Sequence, residues 1–180
     1  TFIGYYMRML ELPAFSQVQS NRKLPDPPLH TAVRYGHGHV LDAIIACEPP
    51  LDLNSTNFHG LTALAVASAR GNVAMVGKLL ASGRVDVQKS GRRGRTAALM
   101  AASQGHVDVL DMLWEAGADM GLADTRGRSP SFVAAENGHL NVLEAMFRFT
   151  SLARDDDRAE EEDNENEEIH IAQLYEEEDQ

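Results

Sequence analysis

The stretch Gly60-Leu61-Thr62-Ala63-Leu64-Ala65-Val66-Ala67-Ser68-Ala69-Arg70-Gly71-Asn72-Val73 decides the fold. Thr62 stands just before a run of strong helix formers, where its hydroxyl can accept from an amide that the first helical turn leaves without a partner. Gly71 stops that helix early, since glycine enters the left-handed conformation that helix ends use. A second helix follows, in which Val73, Met75, Val76, Leu79 and Leu80 recur at helical spacing and mark one buried stripe. Gly83 closes it. The unit is therefore a glycine-bearing turn, a short capped helix, a reversal and an amphipathic helix.

The unit recurs in both directions. Gly-His or Gly-Asn pairs fall at Gly36-His37, Gly71-Asn72, Gly105-His106 and Gly138-His139, at spacings of 35, 34 and 33 residues. Nine residues before the last three of these glycines stand Thr62, Thr96 and Ser129, two residues earlier Gly60, Gly94 and Gly127, and eight earlier still Asp52, Asp86 and Asp119. Four features in one register are the mark of a repeat architecture, in which each unit buries its apolar face against its neighbours. The third unit carries its second-helix stripe on Val107, Val109, Leu110 and Leu113, the fourth on Leu140, Val142, Leu143 and Met146. Ala63, Ala67, Ala97, Ala101 and Ala134 keep the first helices slim, so that neighbouring units can approach closely.

This register resembles the ankyrin repeat, whose signature is Thr-Pro-Leu-His-x-Ala followed by Gly-His and a Leu-rich second helix. Pro28-Leu29-His30-Thr31-Ala32 and Ser129-Pro130 keep parts of it, whereas Ala63 and Ala97 replace the proline and Leu99 the histidine. The resemblance covers residues 25–153 and implies an all-α ankyrin-repeat solenoid of four stacked helix-turn-helix units with hairpin-like loops. Glu48-Pro49-Pro50-Leu51 and Arg84-Val85 lengthen two linkers, and the first unit lacks the glycine-bearing turn at its start, as befits a terminal unit. Residues 1–24 form an arm with Tyr5, Tyr6, Met7, Met9, Leu10, Leu12 and Phe15, read either as a cap on the first unit or as an apolar anchor for a partner.

Charge divides the chain. Of its 180 residues 16 are Lys or Arg and 27 Asp or Glu, a formal charge of -11, and fourteen of those acids lie with one base, Arg158, between Asp155 and Gln180. The rest holds 13 acids and 15 bases. A nearly neutral body with an acidic tail, 154–180, excludes a uniformly basic nucleic-acid binder and a chain disordered throughout. Within the tail, Ile169, Ile171, Leu174 and Tyr175 interrupt the acids and suit a short docking motif. The single cysteine, Cys47, excludes an internal disulfide framework and points to a reducing, intracellular compartment. No apolar run approaches the roughly 20 residues of a membrane-spanning helix.

Catalytic signatures are missing: there is no phosphate-cradling glycine loop, no Gly-x-Ser-x-Gly turn and no His-Glu-x-x-His. His37, His106 and His139 occupy the Gly-His position, where a structural bond to the backbone outweighs metal ligation, and no cofactor is called for. The informative polar feature is a set of loop arginines. Arg84, Lys89, Arg92, Arg93 and Arg95 crowd one inter-unit loop and Arg126 and Arg128 occupy the next, with Arg93 in register with Arg126 and Arg95 with Arg128. Stacking would align them into a basic stripe that attracts an acidic partner, or this chain's own tail; the alternative is a solvated loop. Trp114, the lone tryptophan, reads as packing at an edge or as an outer contact.

The expected function is a non-catalytic module that binds a protein partner through the concave face and loops, with partner contacts at Arg92, Arg93, Arg95, Arg126, Arg128, Ile169, Ile171, Leu174 and Tyr175. The tail would meet a basic surface. No direct nucleic-acid contact is expected. A structural subunit of a large assembly and the targeting domain of a larger enzyme are the alternatives.

Overall fold

The computed structural model describes residues 26–151; the arm and the acidic tail lie outside that range. Eight α-helices follow one another in pairs: α1 Pro28–Tyr35 and α2 Gly38–Ile45, α3 Ala63–Ala69 and α4 Val73–Ala81, α5 Ala97–Gln104 and α6 Val107–Glu115, α7 Pro130–Glu136 and α8, residues 140–151. The first helices of the pairs pack in one row, α1 on α3 on α5 on α7, and the second helices in another, α2 on α4 on α6. Trp114 on Phe149 and Arg148 on Asp111 extend the outer row to α8.

The expected caps set the helix starts. Thr62, Thr96 and Ser129 each accept at Oγ from the amide three residues on, at 3.2 Å in all three. Gly71 and Gly105 adopt the left-handed conformation, and a second constraint acts on them. A Cβ on Gly71 would lie 2.6 Å from Nδ1 of His106, and one on Gly105 would lie 2.9 Å from Nδ1 of His139. The Gly-His pair is therefore an interlock between units: each glycine leaves the room that the next unit's histidine fills. His139 completes it with Nε2 3.1 Å from the Ser103 carbonyl oxygen.

Alanines Ala63, Ala65, Ala67, Ala97, Ala98, Ala101, Ala102 and Ala134 are buried between the first helices, and Leu41, Val76, Leu79, Val109, Leu110, Leu113 and Val142 fill the space beneath the second row. One part of the expected stripe differs. Val73 and Leu140 are exposed and Val107, packed against the core, is half-buried: the first position of the second helix is only partly covered.

The loops are hairpin-like turns closed in the same way three times, by Asn57 N–H to Leu61 O (2.9 Å), Gly91 N–H to Arg95 O (2.9 Å) and Asp124 N–H to Arg128 O (3.0 Å). Neighbouring turns are bonded to each other, Arg92 N–H to Gly60 O at 2.6 Å and Thr125 N–H to Arg93 O at 3.0 Å. In two turns a side chain fixes the tip: Asn57 Oδ1 accepts from His59 and Leu61, and Asp124 Oδ1 from Arg126 and Arg128. Gly91 stands at that place in the middle turn, where a Cβ would fall 2.0 Å from the Gly60 carbonyl oxygen. Without that acceptor the tip closes through Arg93, a non-glycine residue at φ 67°.

Candidate interaction surface

Where the first helix row meets the loops, an open groove of about 990 Å³ runs from α1 across the tips of the next two turns. Arg34 and Tyr35 from the end of α1, Phe58 and His59 from the first tip, and Arg92, Arg93 and Arg95 from the second line it. Tyr35, His59, Arg92 and Arg93 are exposed and Phe58 is half-buried.

The expected loop arginines divide into two kinds. Arg95 is half-buried and donates from Nη2 to the His59 carbonyl at 2.5 Å and from Nε to the Arg92 carbonyl at 3.1 Å, so it ties two tips together. Burial first, then the charges of Arg93 and Arg92, lower its pKa from the ordinary arginine value, and a guanidinium still remains protonated there. Arg128 grips Asp124 through Nε at 3.0 Å and Nη2 at 2.8 Å, and Glu136 through Nη1 at 3.1 Å. That grip, chiefly the side-chain hydrogen bond from Arg128, holds the Asp124 carboxyl at about 2, well below the usual carboxylate range. Arg84 is spent within the frame too, donating to Ile45 O at 3.0 Å and Leu51 O at 2.5 Å. Arg92, Arg93 and Arg126 are exposed and have no ion-pair partner among the described residues. Arg92 and Arg93 enter the groove, and Arg126 sits one turn farther along the same edge. Ile169, Ile171, Leu174 and Tyr175 lie outside the described residues.

Tyr35, Phe58, His59 and Arg34 were not singled out in the sequence. Register could have found two of them, since Phe58 and His59 occupy the positions of Arg92 and Arg93 in the preceding turn. Arg34 and Tyr35 come from a helix end and join only because the turns fold over α1; Arg34 is held in an ion pair with Asp26.

Chemically the groove offers planar cations beside aromatic rings, a combination suited to carboxylates and amphipathic side chains. Among the described residues no group of three or more His, Cys, Asp or Glu could hold a metal ion, and no helix is long and apolar enough to cross a membrane.

A family model described as ankyrin repeats, in three copies, matches residues 78–153. The chain is 31% identical over 101 residues to a probable E3 ubiquitin-protein ligase of Oryza sativa subsp. japonica, XBOS31, with 56% of this chain and 22% of the rice protein covered. It is 45% identical over 56 residues to human ankyrin repeat domain-containing protein 29, with 31% of this chain and 19% of that protein covered. The chain thus spans about a fifth of the length of these curated relatives.

Proposed function

We propose that the chain, whose residues 78–153 match ankyrin repeats, a type of repeat that generally mediates protein–protein interaction, is a non-catalytic adaptor that seizes a protein partner in the groove between α1 and the loop tips. One observation carries the reading: Arg92 and Arg93 stand exposed beside Tyr35, Phe58 and His59 on a frame whose loop arginines Arg84, Arg95 and Arg128 are occupied. A rigid frame loses little freedom on binding, so its exposed cations and rings can anchor a partner. The fitting ligand is a protein segment with carboxylates beside aliphatic or aromatic side chains.

The acidic tail supplies a second contact, to a basic surface of the partner, and Arg126 extends the groove's own charge along the loop edge. The two contacts have opposite polarity, which fixes orientation and makes capture weaken with salt. The test is the double charge reversal Arg92→Glu with Arg93→Glu in the full chain, against deletion of residues 155–180. Each is expected to reduce partner capture and flatten its salt dependence; unchanged capture in both contradicts the reading. A second reading, a targeting domain of a larger enzyme, draws support from the rice relative, of which the matched region is 22%.

A further inference from the structure

The last described unit leaves the side that faces a following unit uncovered among the described residues, and the register identifies that side residue by residue. Phe132 holds the position of His30, Ala65 and Leu99. His30 reaches the next turn at Leu61 O, and Leu99 is 4% exposed, whereas Phe132 is 55% exposed. Leu140 holds the position of Gly38, where a Cβ would meet Met75 and Lys78 of the next unit at 3.3 Å, and of Val73, itself 42% exposed within the stack. Phe147 holds the position of Trp114, which stacks on Phe149 of the next unit. Leu140 is 67% exposed and Phe147 76%. Phe132 and Phe147 thus stand at positions that elsewhere touch the neighbouring unit, and Leu140 is exposed on the same unit.

We propose that this chain's own segment 169–175 docks there, with Ile169, Ile171, Leu174 and Tyr175 covering Phe132, Leu140 and Phe147 as an end cap. The chain leaves the described structure along α8, the helix that carries two of the three exposed residues. After Leu152, the only large aliphatic or aromatic side chains before Gln180 are those four. Residues 152–168 connect them to α8; even without regular structure 17 residues span on the order of 21–25 Å, against about 18 Å for the 12 residues of α8. The tether raises the segment's effective concentration at the face to the millimolar range. The N-terminal arm, also apolar, precedes the first unit in the chain.

Charge does not select this occupant. Arg126, Arg128 and Arg148 of the last unit stand against Asp124, Glu136 and Glu144, so the contact is apolar and persists in salt. Glu144 holds the position of Asp42 and Asp111, which bond Lys78 and Arg148 of the next unit. His170, inside the cluster, brings an N–H donor for it. Docked in this way, the cluster leaves 155–168 displayed as an acidic arc, so its anchoring is separable from the groove.

Amide hydrogen exchange on the full chain tests the cap, comparing wild type with the double variant Leu174→Ser and Tyr175→Ser, which alters no repeat residue. Exchange across 140–151 is expected to be about tenfold faster in the variant, with wild-type protection equal at about 0.1 M and 0.5 M salt. Phe147→Ser should reproduce the acceleration. Equal exchange in wild type and double variant overturns the cap. Protection that disappears in salt overturns it in favour of the tail lying on the arginines, and protection that grows with protein concentration in favour of a second copy.

Discussion

Trp114 and Phe149 stack with ring centroids 5.0 Å apart and 12° between their planes. The stack joins α6 to α8, and Arg148, whose guanidinium lies 5.6 Å over the Phe149 ring, adds a cation beside it. Phe149 is buried while Phe147, two residues earlier, points out. Replacing Phe149 by Ala should cost about 3–5 kcal/mol, the range for truncating a buried Phe to Ala. Because Trp114 is the lone tryptophan, its emission should shift to the red in Phe149→Ala while α1 to α4 keep their helicity. Unshifted emission would contradict the joint.

Gly91 yields a prediction against the repeat's own pattern. Asn57 and Asp124 hold the equivalent place and fix their turns, so Gly91→Asp would look like a repair. The Cβ it adds meets the Gly60 carbonyl oxygen at 2.0 Å, and the bond from Arg92 to that oxygen must give way. A loss of about 1–3 kcal/mol, the usual effect of overpacking, should appear as a lowered denaturation midpoint with an unchanged slope. A higher midpoint would mean that the turns can separate.

Arg93 separates stability from binding. At φ 67° it occupies a conformation that favours glycine or asparagine. Arg93→Asn should stabilise by roughly 0.5–1 kcal/mol and yet weaken partner capture, since the exposed guanidinium is lost. A variant that is both more stable and equally good at capture would remove Arg93 from the binding surface.

His30 predicts a pH dependence. It is fully buried, its Nε2 lies 3.0 Å from the Leu61 carbonyl oxygen and its Nδ1 has no partner among the described residues. Burial pushes its pKa below the ordinary 6.5, so the unfolded chain binds the extra proton first. Stability from this residue is therefore present above 6.5 and declines as pH falls from there toward the folded-state value. His30→Gln should be less stable at pH 7 and lose less between about pH 7 and 5. Parallel losses in the two proteins would refute this role. Asp124 acts in a separate window, its contribution lost as pH falls below 3.8 toward about 2.

The stack was legible because its determinants are local and repeated: Thr62, Thr96 and Ser129 as caps, glycines at fixed spacing and a stripe of 3–4 period. The site was legible only in part. Arg93 and Arg95 look alike in the sequence, but one is strained and exposed while the other bonds two carbonyls across a turn, a distinction made by the neighbouring loop. Arg128 differs from Arg126 for the same reason, through Asp124 and Glu136. Tyr35 became part of the groove through stacking, which no single unit encodes.

Site-specific photocrosslinking tests the central claim most directly. A photoreactive residue at Tyr35, within the groove, is compared with one at Asp108, exposed on the outer helix row, both in the full chain. Protein crosslinks are expected from position 35 and not from 108, and Arg92→Glu with Arg93→Glu should abolish them. Equal crosslinking from both positions, or crosslinks from 35 that survive the charge reversal, would contradict that claim.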